Sequence, residues 1–143
     1  AAAQLDGGAV GGNGGVVLRQ FTGEIRRFVE QHDTSYATDL LDAVERLERT
    51  SEWLQERAAD NPNEAGAASV EYLHLFGYTA YAWMWARMAA VAQTRRAEDE
   101  AFYSAKQATA DFFFARLLPR TLGLEASIRA GSDSLYGLAA EQF

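Results

Sequence analysis

The chain has 143 residues, 48% of them hydrophobic and 23% charged, the balance of one ordinary domain rather than two. At that length folding buries roughly 68% of the surface the unfolded chain exposes, so a core forms without staples. There is no cysteine, which excludes disulfides, thiolate metal ligands and Cys nucleophiles and fits a reducing, cytoplasmic setting, while a net charge of -7 opposes binding to nucleic acid.

The chain opens on Ala1 to Gly15, where Gly7, Gly8, Gly11, Gly12, Gly14 and Gly15 crowd into nine residues. That density predicts a flexible leader or linker over 1–15, followed by one helical domain over 16–143. A phosphate-cradling loop is the functional alternative, but no strand pattern precedes the glycines and no Gly-Lys-Ser/Thr follows them. No basic segment leads into an apolar run, so nothing reads as a signal peptide.

From Val16 to about His32, the residues Leu18, Phe21, Ile25 and Phe28 recur at helical spacing on one face. Asp33, Thr34 and Ser35 then offer cap oxygens for a second helix. In that helix Ala37, Leu40, Val44, Leu47, Ser51, Leu54 and Ala58 form the apolar stripe. Its other face carries Glu45, Arg46, Glu48, Arg49, Glu52, Glu56 and Arg57 and is expected to be solvated. Pro62, within Asp60-Asn61-Pro62-Asn63, cannot continue that helix and forces a break.

A third helix follows, and from Tyr72 to Ala86 it holds no charged residue. A membrane span would need about 20 apolar residues, whereas Arg87 and the polar groups of Tyr72, His74, Tyr78, Thr79 and Tyr81 interrupt the run. The expectation is a central helix, buried on one side by its neighbours and covered on the other by a partner. The partner surface is expected to draw on Phe76, Tyr81, Trp83, Trp85 and Met88, through self-association or contact with another domain. Arg87, set among these apolar residues, is expected to form a structural ion pair with Asp111 or Glu71, the alternatives being the surface or an anionic ligand.

A fourth helix should begin near Ala97 and carry Phe102, Tyr103, Ala105, Thr109, Phe112, Phe113 and Leu117. Pro119 should kink it, with the helix resuming through Leu122, Leu124 and Ile128 to a Gly131 cap. Ser132 or Asp133 can start a short last turn. The expected fold is all-α, an up-and-down bundle of about four helices.

Chemistry is sparse. Glu71-Tyr72-Leu73-His74 is a Glu-x-x-His element of the kind that occurs in pairs in carboxylate-bridged di-metal bundles. His32 lacks a glutamate three residues before it, so no metal site is expected. Two distant histidines and the absence of a Gly-x-Ser-x-Gly elbow argue against hydrolase catalysis.

The segments Tyr72-Leu73-His74-Leu75-Phe76-Gly77, Trp83-Met84-Trp85-Ala86-Arg87-Met88-Ala89, Phe102-Tyr103-Ser104-Ala105-Lys106, Ala110-Asp111-Phe112-Phe113-Phe114, Leu117-Leu118-Pro119 and Ile128-Arg129-Ala130-Gly131 resemble the extra C-terminal helical domain of certain bacterial acyl-CoA dehydrogenases. The likeness runs from about Val16 to Leu138 and is similar to the 3-methylmercaptopropionyl-CoA type. It implies an FAD-dependent parent of fatty acid metabolism whose flavin-binding and base residues lie in an upstream catalytic body. On that footing no residue here is catalytic or binds cofactor, and the module serves packing on the body and subunit assembly. A free-standing helical interaction protein, or a small bundle binding metal or ligand through Glu71 and His74, stand as alternatives.

Overall fold

A computed structural model describes residues 13–143, all of whose regular elements are helical. The leader expected over 1–15 lies mostly outside the described residues. Its last part does not, because helix α1 (Asn13–Gln31) already includes Gly14 and Gly15. Helix α2 spans Ala37–Asp60, α3 Asn63–Arg95, α4 Glu100–Phe112, α5 Arg120–Arg129 and α6 Asp133–Tyr136. One π turn, Phe113–Leu117, joins α4 to α5.

α1, α2, α3 and the α4–α5 rod run up and down, with α2 and α3 as the central pair. α1 lies on one side of this pair and α4–α5 on the other. The α2 stripe is the best-sealed part of the core: Leu40, Val44 and Leu47 are fully buried and Leu54 nearly so. Each such side chain contributes about 1.5–3 kcal/mol through removal from water. Two apolar clusters fill the bundle. One joins Ile25, Phe28, Leu40 and Val44 to Ala82, Ala86, Phe113 and Phe114. The other joins Leu18, Leu47 and Leu54 to Tyr72, Leu75 and Ile128.

The connections differ from expectation in informative ways. α2 has no side-chain cap; Thr34 Oγ1 instead accepts from the Tyr36 N–H at 3.2 Å. Tyr36 is then free to bury its ring against Phe114, with centroids 4.2 Å apart. Asn61, before Pro62, is extended and ends α2, as the proline requires. α4 starts at Glu100 rather than Ala97, because Asp99 caps it by accepting from the Phe102 N–H at 3.0 Å. The kink expected at Pro119 begins earlier: Leu118 donates to the Phe113 carbonyl five residues back, at 2.9 Å. Gly131 closes α5 with φ of 78°, the left-handed geometry a terminal glycine accepts without strain.

The charged face of α2 is also less solvated than expected. Arg46 and Arg49 both reach Glu125 on α5, and Arg26 on α1 reaches Glu48 at 2.6 Å. These pairs tie α1 and α5 to α2.

Candidate functional site

α3 presents two apolar faces. Its inner face carries Leu75, Thr79, Ala82, Ala86 and Ala89, all buried, and the small alanines admit neighbouring helices closely. Its outer face carries Val70, Leu73, Tyr81, Met84, Met88 and Val91, all exposed. The residues fall on one side of the helix from Val70 to Val91, at spacings of three and four except for a gap of eight between Leu73 and Tyr81, and α4 places exposed Phe102 beside them. An exposed apolar ridge of this length is the kind of feature that association sites use.

Toward the C-terminal end of α3 the ridge deepens into a groove of about 490 Å³ lined by Met84, Arg87, Met88, Val91, Phe102 and Lys106, among others. Its cations rest on rings. The Arg87 guanidinium stands 5.0 Å from the Trp83 centroid, and Lys106 Nζ is 5.0 Å from that of Phe102. Neither forms an ion pair among the described residues. The pair expected between Arg87 and Asp111 or Glu71 is therefore not formed. Arg87 is exposed, so solvent satisfies it, and Asp111 accepts from Tyr36 and Gln107 instead. Burial and that bond to Asp111 push the Tyr36 hydroxyl well above the usual tyrosine range.

The five side chains expected at a partner surface divide. Tyr81 and Met88 lie on the outer face. Phe76 stacks on Phe21 of α1 at 4.9 Å and Trp83 meets the same ring edge-on at 5.8 Å, so both pack inside the bundle. Trp85 is half-buried against the core. Exposed with Tyr81 and Met88 on this side are Val70, Leu73, Met84 and Val91, and Phe102 of α4 lies beside them. Their signal was present as spacing, since Val70, Leu73, Met84 and Val91 fall on one side of a helical wheel whose opposite side carries Leu75, Thr79 and a series of alanines. The helix is apolar on nearly every side, which hid which side was core.

Glu71 is half-buried and His74 exposed, and no group of three metal-binding side chains converges among the described residues. The polar clusters that do exist brace the bundle. Arg49 donates twice to Glu125, at 2.9 and 2.7 Å, and Arg129 once at 3.1 Å. The Arg49 bonds, with Arg129 assisting and burial opposing, hold the Glu125 carboxyl down to about 2. At the other end of α5, buried Glu64 accepts from Ser132 Oγ at 2.9 Å, and Asn61 donates to the same hydroxyl.

The groove floored by Met84, Met88, Val91 and Phe102 is an open trough rather than an enclosed slot. No helix among the described residues is long and apolar enough to cross a membrane. A family model described as acetyl-CoA dehydrogenase C-terminal like matches residues 21–139, from within α1 through α6. Among curated proteins nothing matches the chain.

Proposed function

The chain belongs to the acetyl-CoA dehydrogenase C-terminal-like family, and from that premise we propose that it is a non-catalytic helical module of an FAD-dependent acyl-CoA dehydrogenase of fatty acid metabolism. In this reading the flavin and the base that removes the proton alpha to the thioester belong to a separate catalytic body. The module serves subunit assembly, by packing on that body or by self-association, in the cytoplasm. The likeness to the 3-methylmercaptopropionyl-CoA type bears on that body, where acyl-chain preference would be set.

One observation carries the proposal: the outer face of α3, from Val70 to Val91, is apolar and uncovered while the inner face already satisfies the bundle. A helix that served only its own core would need one such stripe. The experiment is to purify the chain, record its visible spectrum, assay acyl-CoA oxidation with an electron-transfer dye and sediment it at tens of micromolar. A colourless, inactive chain that associates, or that binds a flavoprotein body, is expected. Flavin absorbance or turnover would refute the non-catalytic role.

A further inference from the structure

The occupant of the outer face is a second copy of this chain: we infer that two α3 helices pair antiparallel about a two-fold axis at Ala80–Tyr81. This rests on the assembly role proposed above and specifies its partner. A two-fold interface is self-complementary, with residue i on residue j and j on i. The outer ridge has that property in its spacing. About the midpoint between Ala80 and Tyr81, Val70 is the mirror of Val91, Leu73 of Met88, and Gly77 of Met84. Each mirrored pair would therefore lie at one height along two antiparallel helices.

The sizes match as well. No atom stands within 4 Å of where a Cβ would be on Gly77, so that position is an open notch in the ridge. Its mirror, Met84, is long, flexible and exposed, the side chain suited to fill it. Val70 through Val91 spans roughly 32 Å at 1.5 Å per residue. The six ridge side chains and Phe102 together expose on the order of 700 Å², close to the roughly 800 Å² that each partner of a stable interface buries and above the patch of an ordinary monomer.

Size selects the antiparallel direction. It brings Met84 of one copy level with the Gly77 notch of the other, whereas parallel pairing in register sets Gly77 on Gly77 and Met84 on Met84. In the antiparallel register Arg87 comes level with His74 and Glu71 with Ala90, so side-chain size rather than an ion pair sets the direction.

The absence of cysteine makes the register directly measurable. Sedimentation velocity of the full chain at tens of micromolar should show a dimer, and Met84→Glu and Met88→Glu should weaken it at least tenfold while circular dichroism stays unchanged. Tyr81→Cys, beside the axis, should cross-link to itself under mild oxidation. Leu73→Cys should not, because its two copies lie about 22 Å apart along the helices. Mixed with Met88→Cys, it should form the heterodimer. A strict monomer at 100 µM overturns the second copy as occupant, whatever the catalytic body then binds. A dimer in which Leu73→Cys cross-links to itself overturns the antiparallel register while leaving the assembly role intact.

Discussion

Replacing Glu125 by Gln removes one negative charge from the point where α2 and α5 are fastened, and its cost can be worked from the geometry. The carboxylate is 12% exposed, receives two bonds from Arg49 and one from Arg129, and has Arg46 Nε 3.4 Å away. Its depression from 4.5 to about 2 corresponds to about 3 kcal/mol at 1.36 kcal/mol per unit. Arg49 and Arg129 stand largely in solvent, and screening reduces the figure to about 2 kcal/mol. Gln keeps the shape but leaves Arg46 Nε, which is buried without a hydrogen-bond partner, beside two uncompensated guanidinium groups. Glu125→Gln should therefore lose about 2 kcal/mol at pH 7, or roughly 4–8 °C in Tm. Because folding lowers this carboxyl's pKa, its stabilisation is complete above about pH 4.5 and drains away as pH falls toward 2. Urea unfolding followed by helical circular dichroism at pH 7 and pH 3 measures both effects, and the gap between wild type and variant should shrink by about half or more at pH 3. A loss below about 0.5 kcal/mol at pH 7, or a gap indifferent to pH, would show that Glu125 is an ordinary surface acid.

Ala86→Leu, on the sealed inner face of α3, should cost about 1–3 kcal/mol by overpacking, whereas Met84→Leu two residues earlier should stay within about 0.5 kcal/mol; equal effects in thermal melts would mean that the two faces were wrongly assigned. Gly131→Ala should cost about 1–2 kcal/mol in chemical denaturation, because φ of 78° disfavours a Cβ; a neutral result would place the end of α5 in another conformation.

Helix positions were legible because each depends on local features that a sequence displays. The Leu40, Val44, Leu47 and Leu54 stripe and the Pro62 break appear where periodicity and proline chemistry require. The Gly131 cap appears where the requirement for positive φ places it. What was not legible depends on residues far apart. Nothing near Trp83 announces that Phe21, 62 positions earlier, will take up its ring edge. Arg46 and Arg49 look like solvated charge until α5 arrives with Glu125. The two faces of α3 were confounded for a related reason: a helix apolar all round has no moment to say which side is inside, and only its neighbours decide.

The π turn at Phe113–Leu117 fixes the number of residues over that stretch, independently of which residues fill it. Ala110, Phe113 and Phe114 engage one cluster and Ile128 the other, so the rod must arrive at each with a different rotational phase. The extra residue of the π turn supplies the offset, roughly 100° for one residue of an α-helix. Deleting any one residue between Ala110 and Thr121 would restore regular winding and swing Thr121, Glu125 and Ile128 away from α2 and α3 together. A conservative substitution there perturbs one contact; a single deletion uncouples half the rod.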